Sequence, residues 1–132
     1  MNRQNKTFTF NSGYFKILHV VDNLNQNGDY PLPQGVYKIL KGIVDEETKK
    51  YQDLETFGCL ISYSSKKVSR YVTMLIRHEY LKKIYDPNTD DLYLQITPIG
   101  SRILNKYLKN RRSTFQKKNI LKKKTIVHLS NE

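Results

Sequence analysis

Six cations crowd one short stretch of this chain. Residues 62–83 carry Lys66, Lys67, Arg70, Arg77, Lys82 and Lys83 against one carboxylate, Glu79, a net of +5. Three hydroxyls, Ser62, Ser64 and Ser65, stand directly before them. Ammonium and guanidinium groups clustered in this way neutralise polyanions, by Coulomb steering and by release of condensed counterions. Free backbone N–H groups at a helix start bind phosphate. The serines fit that role and the plainer one of helix caps equally well.

Other chemistries find no footing. No Gly-Lys-Thr or Gly-Lys-Ser phosphate loop occurs, so an ATP-driven motor would need further polypeptide. His19, His78 and His128 lie far apart and in no metal-ligand spacing. Asp45-Glu46-Glu47 reads as a helix start, where the dipole favours negative charge, and not as a general acid–base pair. Asp86, Asp90 and Asp91 with Asn88 lack the glycine and terminal glutamate of a calcium loop. The single cysteine, Cys59, excludes an intramolecular disulfide and a multi-cysteine zinc site. Between Gly58 and Leu60 it reads as a buried structural thiol, which fits a reducing intracellular compartment, cytoplasm, nucleoid or nucleus. The expectation is a non-catalytic chain with no metal and no cofactor. No apolar run reaches membrane-spanning length, and no signal-peptide core follows Met1, so no membrane partner is expected.

The distribution of charge says more than its sum of +11. From Lys106 onward nine Lys or Arg face Glu132 alone; the remaining residues carry fourteen basic and eleven acidic groups. Positive charge therefore gathers on the 62–83 stretch and on a tail, where Arg111-Arg112, Lys117-Lys118 and Lys122-Lys123-Lys124 fall. The expected division is a loose N-terminal segment over 1–12, one domain over 13–109, and a basic, flexible tail over 110–132.

The elements that must position the cations follow from periodicity. Tyr14, Ile17, Leu18, Val21 and Leu24 predict a helix over 13–26, capped by Asn11-Ser12-Gly13 and stopped at Asn27-Gly28. Asp29-Tyr30-Pro31-Leu32-Pro33 is an extended connector. Val36, Ile39 and Leu40 predict a helix from Pro33 to Gly42. A short helix is expected over 46–51 after Asp45, and another helical turn over 53–57, with Leu54 and Phe57 reaching the core. Val68, Val72, Leu75 and Ile76 make the apolar stripe of a basic helix running to Tyr80, with Tyr71 beside it. Two β-like runs, 81–85 and 92–96, flank the turn Asp86-Pro87-Asn88-Thr89-Asp90; Leu92, Leu94 and Ile96 should share the dry face. Thr97-Pro98 opens a last helix with Ile99, Ile103, Leu104, Tyr107 and Leu108 as its stripe. The sum is a mainly α domain with a small β-hairpin wing, a winged helix-turn-helix.

From about Tyr14 to Leu104 the chain resembles the RQC domain, the winged-helix module that follows the zinc region in RecQ-family DNA helicases. Tyr14-Phe15-Lys16-Ile17-Leu18-His19-Val20-Val21 looks like its opening helix, and Val36-Tyr37-Lys38-Ile39-Leu40-Lys41-Gly42 is similar to its "vLrG" signature. Leu54-Glu55-Thr56-Phe57-Gly58 looks like "l…yG". Leu75-Ile76-Arg77-His78-Glu79-Tyr80-Leu81 is similar to "LI..G.L", and Leu94-Gln95-Ile96-Thr97-Pro98-Ile99-Gly100 to "l.LT..G". The resemblance implies a module that binds duplex DNA, forks or junctions, alone or joined to a helicase motor in DNA repair, replication or recombination. It implies phosphate contacts near Gly42 to Lys49 and around Ser62 to Lys67, and a wing over Ile84 to Tyr93.

The residues expected to touch DNA are Lys49, Lys50, Ser62, Ser64, Ser65, Lys66, Lys67, Arg70, Arg77, Lys82 and Lys83, with Tyr85, Asn88 and Tyr93 on the wing. Three departures from the family pattern bear on this. Asp45, Glu46 and Glu47 stand where small polar and basic residues are usual, with Lys49 and Lys50 nearby to offset them. Leu60 and Ile61 replace a second glycine and a basic residue. The wing tip is acidic and offers only Tyr85 and Tyr93 as aromatic candidates, with packing the favoured role for each. DNA binding is thus better supported than strand separation. Two other readings of the same fold stay open. One is a sequence-specific regulator reading bases through Ser69, Arg70 and Thr73. The other is a protein–protein adaptor using the acidic wing.

Overall fold

Asn11 starts the first helix, its carboxamide oxygen accepting the Tyr14 amide at 3.2 Å. The computed structural model describes residues 9–110. In it α1 spans Ser12–Gln26, α2 Pro33–Lys41 and α3 Ser65–Arg77. β1, Leu81–Asp86, pairs antiparallel with β2, Asp91–Ile96, in a register running from Leu81↔Ile96 to Asp86↔Asp91. A last helix, α4, covers 98–110, and Thr97 caps it by accepting the Gly100 amide at 3.0 Å. The result is mainly helical with a two-stranded wing, the expected winged-helix arrangement. No helix among the described residues is long and apolar enough to cross a membrane. The 110–132 tail lies outside the described residues except for Asn110.

The core forms where the helical stripes meet the base of the ribbon. Ile17, Leu18 and Val21 of α1, Val36, Ile39 and Leu40 of α2, and Val68, Val72 and Leu75 of α3 are all buried, with Leu81, Leu94 and Leu104 closing the far side. Phe10, within the segment expected to be loose, stacks on Phe15 at 4.7 Å between ring centroids and meets Tyr80 edge-on.

Residues 46–57 differ from expectation. The 46–51 helix is a tight turn followed by one 3-10 turn, Lys49–Tyr51. Asp45 Oδ1 accepts the amides of Glu47 and Thr48 at 2.9 and 3.0 Å, and the Thr48 hydroxyl donates to the Ile43 carbonyl. Such local side-chain bonds offer the backbone an alternative to the helical ladder. No helical turn forms over 53–57 either; the chain descends in successive three-residue turns. Its course is set by α2, whose last carbonyls take the Gly58 amide (to Ile39, 2.8 Å) and the Leu60 amide (to Leu40, 2.9 Å). Gly42 ends α2 at φ 81°, and a Cβ there would stand 3.1 Å from the Gly58 Cα. Leu54 and Phe57 do pack against the core, partly buried.

The basic helix stops at Arg77, three residues short of Tyr80. Glu79 takes a left-handed backbone (φ 66°), and the Glu79 and Tyr80 amides return to the carbonyls of Ile76 and Leu75. This reversal delivers the Tyr80 carbonyl to α4, where a Cβ on Gly100 would collide with it. On the ribbon, Leu94 is fully buried and Ile96 half-buried, but Leu92 is exposed, because the wing runs on past the edge of the core.

Candidate nucleic-acid interface

Of the three serines before the basic helix, Ser64 is the cap: its hydroxyl accepts the Lys67 amide at 3.1 Å. The first amides of any helix have no partner inside it, so the α3 start presents N–H groups as well as charge. Ser62 and Ser65 are exposed beside it. Lys66, Arg70, Thr73 and Arg77 follow at intervals of four, three and four, which places them on one stripe at about 100° per residue. All four are exposed, opposite Val68, Val72 and Leu75. Among the described residues no carboxylate pairs with Lys66, Arg70 or Arg77. The Thr73 hydroxyl donates to the Ser69 carbonyl at 3.0 Å, so part of its hydrogen-bonding capacity is spent within the helix.

Lys67 leaves that stripe. Its ammonium sits 4.1 Å from the Tyr63 ring centroid and 5.9 Å from that of Tyr71. Tyr71 in turn stacks on Tyr14 at 4.0 Å, and Asn11 Nδ2 donates to its phenol at 3.0 Å. This aromatic seam ties α1 to α3 and fixes Lys67 beside the α3 start by cation–π attraction. Burial, then the neighbouring Tyr71, pushes the Tyr63 phenol above its ordinary range. Gly13 makes room for it, since a Cβ there would meet the Tyr63 hydroxyl at 2.6 Å. No periodicity in the sequence signals the seam.

Lys49 and Lys50 are placed differently. Lys49 pairs with Glu46 at 2.8 Å, and Lys50 lies 3.9 Å from Asp29 and 5.0 Å from the Tyr51 ring centroid. The charges of Asp45 and Glu47 are offset by neither. Lys38 meets both, at 3.0 and 3.3 Å, and its ammonium holds the Asp45 carboxyl below its ordinary range. Lys38 carried no signal of its own in the sequence beyond its place off the apolar stripe of α2.

The wing divides its cations. Alternation along β1 puts Lys82 and Lys83 on opposite faces, Lys82 opposite Gln95 and Lys83 opposite Leu94. At the tip the Asn88 amide donates to Asp86 Oδ1 at 2.9 Å. The Tyr85 phenol donates to Asp90 Oδ1 at 2.9 Å, and the Tyr93 phenol shares a hydrogen bond with Thr89 Oγ1 at 3.1 Å. Both rings are thus braced along the ribbon. Cys59 is half-buried, and burial pushes its thiol above the ordinary range, away from the reactive thiolate. Among the described residues no group of three His, Cys, Asp or Glu is arranged to hold a metal ion.

The ribbon is held to the body by a side chain. Asn25, at the end of α1, accepts the Ile96 amide at 2.8 Å and donates to the Leu94 carbonyl at 3.3 Å and the Asp29 carbonyl at 3.0 Å. The Leu94 amide donates to the Pro31 carbonyl at 2.8 Å. Asn25 thus stands in for a third strand along the free edge of β2. Its place near the helix end was the only sequence cue.

An open cationic stripe, a helix start aimed outward beside it and a hairpin docked against that helix make a surface fit to meet a phosphate backbone. A search of curated proteins finds no match for this chain. The family model of the RQC domain matches residues 7–129. RQC domains are, in general, non-catalytic DNA-binding modules of RecQ helicases. By fold and by sequence, this chain belongs to the RQC domain family.

Proposed function

We propose that this domain grips duplex or forked DNA through the phosphate backbone, as part of or partner to a RecQ-type helicase motor in DNA repair, replication or recombination. Its place of action is then inside the cell, in cytoplasm, nucleoid or nucleus. The observation that carries the reading is the α3 stripe: Lys66, Arg70 and Arg77 project from one exposed face with no carboxylate paired to any of them among the described residues. Lys67, fixed over Tyr63, supports the same end of the helix. Ser62, Ser64 and Ser65, with the first amides of α3, offer hydrogen bonds to phosphate oxygens. Lys82 and Lys83 extend the charge onto one face each of the ribbon. Lys49 and Lys50, paired with Glu46 and Asp29, contribute less. Gripping is favoured over prying, because the wing tip is acidic and both its tyrosines are tied down.

The test is fluorescence anisotropy with single-stranded, blunt and forked oligonucleotides across a range of salt. Replacing Lys66, Arg70 and Arg77 by Ala should weaken binding to every duplex sequence and reduce the log–log salt slope by about 0.9 for each phosphate left unneutralised. An unchanged slope would remove the stripe from the interface. Strong preference for one duplex sequence would point instead to base reading.

A further inference from the structure

The wing tip is acidic on a chain whose sum of charge is +11. Asp86, Asp90 and Asp91 stand within six residues, and among the described residues none is ion-paired. Between this tip and the connector before α2 lies a groove of about 520 Å³, walled by Tyr30, Ile84, Tyr85, Asp86, Pro87 and Tyr93. Its lining is predominantly apolar. Tyr30 is 41% exposed and Tyr85 55%. Ile84 and Tyr93 sit opposite each other in the ladder. The walls are also pre-set: the Tyr85 phenol is bonded to Asp90, and the Tyr93 phenol to Thr89. Aromatic side chains already held in place lose little freedom when a ligand covers them, so more of the burial appears as affinity.

We propose that this groove seats a short segment of a partner protein in which an apolar side chain is flanked by Lys or Arg. Charge selects the occupant. The apolar walls take the anchor, and the unpaired carboxylates at the rim attract a neighbouring cation. The same carboxylates oppose a nucleic-acid strand, since a base entering the groove brings its phosphates close to them. The inference goes beyond the DNA reading and stands apart from it: α3 and the base of the ribbon carry one, and the distal wing the other.

The experiment is selection of randomised displayed peptides on the full chain, followed by titration of a selected peptide into the isotope-labelled protein. Selected peptides should pair an apolar residue with adjacent Lys or Arg and should shift the resonances of Tyr30, Ile84 and Tyr93. Tyr85→Ser and Asp91→Lys should each weaken binding about tenfold. Asp91 faces Asp86 across the ladder but does not line the groove, so Asp91→Lys alters the rim charge and leaves the lining side chains in place, and the test survives if Tyr85→Ser fails to fold. Peptides without basic flanks, or binding indifferent to both variants, would overturn the proposal. So would oligothymidine shifting the groove resonances where the peptide does not. A dimer in sedimentation that Asp91→Lys dissolves would likewise overturn it, by giving the groove to a second copy. Forked-DNA affinity of the unmodified chain, measured in parallel, reports on the DNA reading alone.

Discussion

Glu79 shows what one residue can cost where the backbone turns back on itself. It occupies the left-handed region at φ 66°, where a Cβ crowds the following carbonyl, and it stands where the "LI..G.L" pattern has its glycine. Its carbonyl is needed, since the Thr97 hydroxyl donates to it at 2.6 Å. Its exposed side chain is in no ion pair among the described residues. Glu79→Gly should therefore stabilise the domain by about 1 kcal/mol, less the extra freedom glycine gives the unfolded chain. Urea denaturation will show it as a higher midpoint at unchanged slope. Thr56 offers a second case. Its hydroxyl is buried with no hydrogen-bond partner among the described residues. Thr56→Val replaces that hydroxyl by a methyl of like shape and should be neutral or stabilising by up to about 1 kcal/mol. A clear loss of stability would mean that the hydroxyl is satisfied in solution.

At the scale of elements, the ribbon depends on Asn25. Asn25→Ala strands the Ile96 amide and frees the carbonyls of Leu94 and Asp29, at a cost of about 1–3 kcal/mol for each buried group left unsatisfied. The loss should be local before it is global: hydrogen exchange should quicken at Ile96 and along β2 while the α1 and α3 amides stay protected. Uniform acceleration would deny the wing any independent hinge. The turn after α2 has its own electrostatic fastening. The Lys38 ammonium, with the amides of Glu47 and Thr48, holds the Asp45 carboxyl below its ordinary value of about 3.9. A carboxyl depressed by folding contributes stability above that value and loses it as pH falls through the lower folded value. The melting temperature of the parent should thus fall more steeply with acid than that of Lys38→Met. Parallel curves would mean that the pair contributes nothing.

For the molecule as a whole, the decisive arrangement is the separation of charge. Lys66, Arg70 and Arg77 stay open on α3, while Lys38 and Lys49 are engaged by the carboxylates of the 43–51 turn and Lys50 lies by Asp29. The charge of the acidic patch at Asp45, Glu46 and Glu47 is thus partly offset in place, by Lys38 and Lys49. Salt titration of the stripe variants against Lys49→Ala and Lys50→Ala should separate the two groups, with the larger slope change belonging to the stripe.

Much of this was legible beforehand for a physical reason: helical and strand periods are local, and so are caps. Three- and four-residue spacing was enough to place α1, α2 and α3, and two-residue alternation to place the ribbon; that Lys66, Arg70 and Arg77 share a stripe while Lys67 turns to Tyr63 is a finding of the structure. Thr97 and Gly42 act within a few residues of their own positions, so their roles could be read in line, whereas the choice of Ser64 over Ser62 and Ser65 as the α3 cap came with the structure. What tertiary structure alone decided are contacts between residues far apart in the chain: Asn25 with β2, Tyr14 with Tyr71, and α2's last carbonyls with the amides of Gly58 and Leu60. The helices expected over 46–51 and 53–57 give way to turns, with one 3-10 turn at Lys49–Tyr51, because local side-chain bonds and the demands of α2 outweigh a weak local preference. Hydrophobic period records which face is dry; it carries no record of which distant partner dries it.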